Sequence, residues 1–138
     1  MKVMIIGSMA FAKEMLETQK RLRELGHEVF VPCDTELHVQ DPLLRNDLAR
    51  DKEHVLGNDV MRRCFNLVAA SDAILVLNHK HNETEGYMGA STLMEIGLAG
   101  HLHKKIFLLD PIAPEQRYRH EIDVLGGVVV NGDLSKIL

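Results

Sequence analysis

The sequence predicts an α/β fold: a single domain over residues 1–138, three layers deep, in which about five parallel strands lie between two layers of helices. Three observations predict it. Short continuous apolar runs recur along the chain, the pattern of strands covered on both faces. Amphipathic stretches at helical spacing separate them. The turns between are short, and strand–helix–strand units joined this way close as a parallel sheet with helices on both sides. For five strands, Rossmann-like or flavodoxin-like order is the natural arrangement.

The first run is KVMIIG, Lys2 to Gly7. Its lysine and apolar start mimic a secretory leader, but the run breaks at Gly7-Ser8 and passes into EMLETQKRLREL, so it reads as a strand. Residues 10 to 25 set Phe11, Met15, Leu22 and Leu25 at helical spacing among charged residues, with Gly26 as C-terminal cap. HEVFVP, residues 27–32, reads as a second strand stopped by Pro32. From Cys33 to Asp59 the chain is polar, weakly periodic and interrupted by Pro42. This is an excursion from the sheet with room for one helix after the proline, and RNDLARDKEH (45–54) reads as a solvated helix face.

Helical spacing returns over 59–70 through Val60, Cys64, Leu67 and Val68. AILVLN, residues 73–78, is the most apolar strand, entered through Ser71-Asp72, where Asp72 reads as a turn residue. A polar loop, HKHNETEGYMGA, leads to a helix running from Ser91 or Thr92 to about His103. KIFLLD (105–110) is another buried strand, PIAPEQRYRHEIDVL holds a short helix, GVVV a short strand, and DLSKIL follows.

A formal charge of -4 leaves no basic footprint for duplex nucleic acid, so a small-molecule partner is expected. No apolar run approaches the ~20 residues that span a bilayer, so no membrane partner is expected. Cys33 and Cys64 lack CxxC spacing, which argues for reduced thiols in a cytoplasmic protein rather than a disulfide scaffold or structural zinc. His79 and His81, like His101 and His103, are two apart with no HExxH or Cys/His cluster, so they read as solvated loop and helix-end residues. No metal and no cofactor is expected.

Ligands of such sheets bind beyond the carboxyl ends of the strands. Here those ends are Gly7-Ser8, Asn78 and Asp110-Pro111, and two of them should line the pocket. Gly7, Ser8 and Met9 can bring backbone N–H groups and a hydroxyl to a phosphate or sugar, or form a tight turn with a serine N-cap. Asn78 can contact a ligand or serve a turn. Gly89, Ala90, Ser91 and Thr92 put small side chains and two hydroxyls where a helix begins, which suits close approach of a ligand to free N–H donors.

Glu95 has two readings. Thr92-x-x-Glu95 fits a capping box. Alternatively, Leu93, Met94, Ile96, Leu98 and Ala99 surround it and mark the helix as buried. A carboxylate in the first turn would then be partly desolvated, yet held ionised by the helix's positive end, which suits a nucleophile.

The order strand-GS, SDAILVLN, a glycine-bearing loop and STLMEIGLAGHLHKKIFLL resembles the nucleoside 2-deoxyribosyltransferase superfamily, which includes deoxynucleoside monophosphate N-glycosidases. The distinctive motif occupies residues 86 to 109. The resemblance implies that Glu95 attacks the anomeric carbon of a nucleoside or nucleotide, with the Gly89–Thr92 region holding sugar or phosphate. It implies a homodimer or higher homo-oligomer, with the 33–58 excursion as lid or dimer contact. It also implies an aspartate on the helix before the third strand and a tyrosine in the first strand, where this chain has Cys64 and Met4. Asp59 and Tyr87 are the nearby groups that could substitute. Two functions follow: N-glycosidic cleavage or deoxyribosyl transfer through Glu95, or a nucleotide-binding module without turnover.

Overall fold

The computed structural model describes residues 1–138. Its strands are β1 (Lys2–Gly7), β2 (Glu28–Phe30), β3 (Ala73–Leu77), β4 (Lys105–Leu108) and β5 (Val128–Val129). All pair in parallel, in the order β2-β1-β3-β4-β5. This is the flavodoxin-like solution, with the order reversing between β1 and β3. Val3 stands opposite Ala73, and Gly7 opposite Leu77.

The apolar runs are continuous because both faces of the sheet are covered. Val3, Ile5, Leu75, Leu77 and Phe107 point to one side, where Met15 and Leu22 of α1 (Ala12–Glu24) pack on them. Met4, Ile6, Ile74, Val76 and Ile106 point to the other. There they meet Val60 and Val68 of α4 (Val60–Ala70), Ile96 and Ala99 of α5 (Ala90–His101), and Ile122 of α6 (Arg119–Val124). Each fully buried Ile, Leu or Val contributes about 1.5–3 kcal/mol relative to exposure, so β1 and β3 anchor the domain.

Local chemistry sets the helix ends. Ser8 Oγ accepts the Ala10 N–H at 3.2 Å and caps a 3-10 turn, Met9–Phe11, that leads into α1. At the other end the Gly26 N–H donates to Arg23 O and the His27 N–H to Leu22 O, a Schellman closure. Asp72 is the turn residue expected: its Oδ2 accepts the Lys2 N–H at 2.8 Å.

The excursion holds two α-helices rather than one. The helix expected after the proline is α3 (Leu48–Asn58), capped by Asp47. Before it lies α2 (Thr35–Gln40), whose inward side chains are Thr35 and His38, so no apolar stripe betrays it. α3 has no buried residue. Both cysteines are free, Cys33 exposed and Cys64 buried. No helix is long and apolar enough to cross a membrane.

Candidate functional site

A cavity of about 270 Å³ lies at the carboxyl end of β1, beside the point where the strand order reverses. Gly7, Ser8 and Met9 form one side of it, and Gly89, Ala90, Ser91, Thr92 and Glu95 of α5 and its approach form another. Cys64 closes it from α4. Asp34 and His38, beyond the end of β2, and Arg45 and Asp51 complete the wall. Gly7 is required here: its φ is +152°, and a Cβ would stand 2.7 Å from the Leu77 carbonyl oxygen.

Seven of the expected site residues therefore share one cavity: Gly7, Ser8, Met9, Gly89, Ser91, Thr92 and Glu95. Asn78 does not join them. It is fully buried, its Nδ2 donates to Asp110 O at 2.6 Å, and its Oδ1 accepts the Asp110 N–H at 2.9 Å. Its amide is committed to backbone groups where β4 leaves the sheet. The strand ends at the cavity are thus those of β1 and β2, while β3 contributes through the helix that follows it.

α5 begins at Ala90, ahead of the expected Ser91 or Thr92, with Gly89 as N-cap and no capping side chain. Thr92 is thus inside the helix, the Thr92–Glu95 capping box does not form, and the first-turn N–H groups have no side-chain acceptor. The helix is not apolar all round either. Thr92, Glu95, Ile96 and Ala99 form one buried stripe, while Met94 is 50% exposed.

Glu95 stands on that stripe in the second turn, only 8% exposed, and its Oε2 is buried without a hydrogen-bond partner. The positive end of a helix acts within its first turn. Burial therefore wins, pushing the carboxyl from 4.5 up to about 7, opposite to the expected stabilisation of the ionised form.

The positions where the resemblance implies a partner acid and a tyrosine hold groups of different character. Burial first, and then the nearby Glu95 charge, push the Cys64 thiol up to about 12, so it stays protonated and is no base at neutral pH. Met4 is sealed in the core. Asp59 is exposed and 3.4 Å from Arg62, and Tyr87 packs against His81 with ring centroids 5.0 Å apart; neither lines the cavity.

The histidines also depart from expectation. His79 is half-buried against Phe11, and His81 lies between Phe11 and Tyr87, so neither is a freely solvated loop residue. The face read as solvated in 45–54 partly turns inward: Arg45 and Asp51 line the cavity, and His54 reaches Asp34.

Sequence reasoning missed the group formed by Asp34, His38 and His54. His38 Nε2 is 3.1 Å and His54 Nε2 3.0 Å from the same oxygen, Asp34 Oδ2. Burial alone would raise the Asp34 carboxyl, but the hydrogen bonds from His38 and His54 and the charge of His38 outweigh it and hold the group below its ordinary value. The Asp34–His38 spacing of four residues was the available signal.

No protein-family model matches the sequence, and no curated protein matches it. Among solved structures the chain is similar to the 2-deoxyribosyltransferase of the psychrotolerant bacterium Bacillus psychrosaccharolyticus, characterised as a biocatalyst for the synthesis of antiviral and antitumoral nucleosides. The match covers 99% of this chain and 96% of that one, with a TM-score of 0.55 and 16% identity. At that identity the likeness is one of architecture: over its whole length, this chain carries the fold of a 2-deoxyribosyltransferase.

Proposed function

We propose that this protein binds a nucleoside or nucleotide in the cavity at the start of α5 and cleaves or transfers its N-glycosidic bond through Glu95. The observation that carries the reading is a buried carboxylate with an unpartnered oxygen, in a cavity shared with an uncapped helix start. An ionisable group held this way is destabilising, and such groups cluster where chemistry needs them.

In the first step a Glu95 oxygen bonds to the anomeric carbon as the bond from that carbon to the base nitrogen breaks. The bonding pair leaves with the base, which takes up a proton from solvent water. Water or a second base, giving up a proton to solvent, then attacks the same carbon and releases the carboxylate. Ser8, Ser91 and Thr92, with the N–H groups of the first turn of α5, are suited to hold sugar hydroxyls or a 5′-phosphate.

A second reading is favoured by Cys64. A thiol pushed up to about 12 is too weak an acid to protonate the departing base at neutral pH, so a nucleotide-binding module without turnover fits the same cavity. Incubation with a panel of nucleosides and 5′-monophosphates separates the two. Release of free base that disappears in Glu95→Gln supports the enzyme; a raised melting temperature without base release supports the module; neither result leaves both readings refuted.

The exposed Leu43, Leu48 and Leu56 of the excursion support association between copies through this region. Light scattering should then find an oligomer that Leu48→Glu with Leu56→Glu disperses, and a wild-type monomer at all concentrations would refute it.

A further inference from the structure

We infer that Asp34, His38 and His54 form a site for one divalent transition-metal cation, zinc in the first instance, in the wall of the cavity. The three residues come from the N-cap of α2, from the next turn of that helix and from the middle of α3. The excursion folds back on itself to bring them together. One ligand atom from each lies within 4.8 Å of the other two. Ligands of a tetrahedral zinc, at bonds of about 2.0–2.1 Å, stand about 3.3 Å apart, so an ion can enter by small rotations of these side chains.

A second observation points to a cation. The Asp34 and His38 side chains are 7% and 3% exposed, and both Asp34 Oδ1 and His38 Nδ1 are buried with no hydrogen-bond partner. Both imidazoles sit on Asp34 Oδ2, so Oδ1 is a sealed acceptor with no donor of its own, which a coordinated ion can satisfy. A metal takes each imidazole at Nε2 in its neutral form, with the proton on Nδ1. Nothing holds His38 Nδ1 in the opposite tautomer. His54 Nδ1 lies 3.2 Å from Asn58 Nδ2, which also donates to the His54 carbonyl oxygen at 2.9 Å, so binding an ion at Nε2 requires this exposed side chain to swing away and leave Nδ1 free to carry the proton.

Two imidazoles and one carboxylate select a transition metal rather than Ca²⁺ or Mg²⁺, which require more oxygen ligands. Three protein ligands leave a coordination position open, the pattern of catalytic rather than structural zinc. Asp34 and His38 line the same cavity as Glu95, so a water or an oxygen of a bound molecule can fill that position from the cavity. The inference does not depend on glycosidic chemistry; a pure binding module would hold the ion equally well.

Metal binding by the full chain tests it. Protein stripped with a chelator is titrated with Zn²⁺, or with Co²⁺ as a spectroscopic substitute, and retained metal is counted after desalting. The expected result is one ion per chain, with visible Co²⁺ absorption saturating at one equivalent. His54→Gln and His38→Ala should each weaken binding at least about tenfold. His54 is the least buried of the three, on a helix with no buried residue, so its substitution should leave the circular dichroism unchanged. The exposed pair His101→Ala with His103→Ala should retain the ion. Absence of a stoichiometric ion, equal binding in His54→Gln, or loss in the His101/His103 variant would overturn the assignment. Because base release is not the readout, failure here and failure of the glycosidic reading are distinguishable.

Discussion

Replacing Glu95 by glutamine should stabilise the folded protein, and by an amount that depends on pH. A carboxyl raised from 4.5 to about 7 binds its proton more tightly in the folded chain than in the unfolded one. Folded stability therefore falls as pH rises from 4.5 through about 7 and levels off above. That interval, at 1.36 kcal/mol per pH unit, comes to about 3 kcal/mol. Glutamine keeps the shape and the uncharged state without the titration. At pH 8 the gain should be about 3 kcal/mol, and at pH 5, where the folded group is still protonated, about 0.8 kcal/mol. The assay is urea denaturation of both proteins at the two pH values. With a slope of about 2 kcal/mol per molar urea, the midpoint gain should be about 1.5 M at pH 8 and about 0.4 M at pH 5. An equal gain at both pH values, or a loss at pH 8, would refute burial as the cause of the raised carboxyl.

Three further predictions rest on separate features. If Glu95 is the nucleophile, kcat/KM for base release should rise with pH through about 7, the value burial imposes, and level off above it; a flat profile from pH 5 to 8 counts against the assignment. Asn78→Ala removes both bonds to Asp110 and leaves its N–H and carbonyl short of partners, which should cost about 2–3 kcal/mol in urea denaturation. A loss under about 0.5 kcal/mol would mean that water replaces the amide. Gly86 has φ +64°, and a Cβ there would stand 2.3 Å from the Pro111 carbonyl oxygen. Gly86→Ala should therefore cost about 3 kcal/mol and lower Tm by roughly 10 °C in a thermal melt, and an unchanged Tm would show that the loop yields freely.

What the sequence disclosed follows from how local each feature is. β1 and β3 were legible because burial on both faces forces unbroken apolar runs, and α1 because its inward residues recur at helical spacing. The start of α5 was not, since a helix without a capping side chain has no residue to mark its first turn, and Ser91 and Thr92 imitate one. That shift reverses only the expected ionisation of Glu95: its burial is evident from its neighbours, but its charge depends on which turn it occupies. Asn78 is legible as a polar group at a strand end but not as a backbone partner rather than a ligand contact, because Asp110 is brought to it only by the pairing of β3 with β4. Asp34 and His54 are ordinary polar residues in isolation. Their convergence is a tertiary event within a segment that has no periodicity to announce it.

The sheet's two outermost strands are only three and two residues long. Gln19 and Arg23 reach from α1 to occupy the Val29 carbonyl in one of them, at 3.0 and 3.3 Å. Both rims are brief and the β2 rim is partly plugged, so a foreign polypeptide finds little ladder to extend and edge-to-edge pairing is disfavoured. The association proposed through the exposed leucines of the excursion therefore calls on side-chain surfaces rather than on an extended ladder.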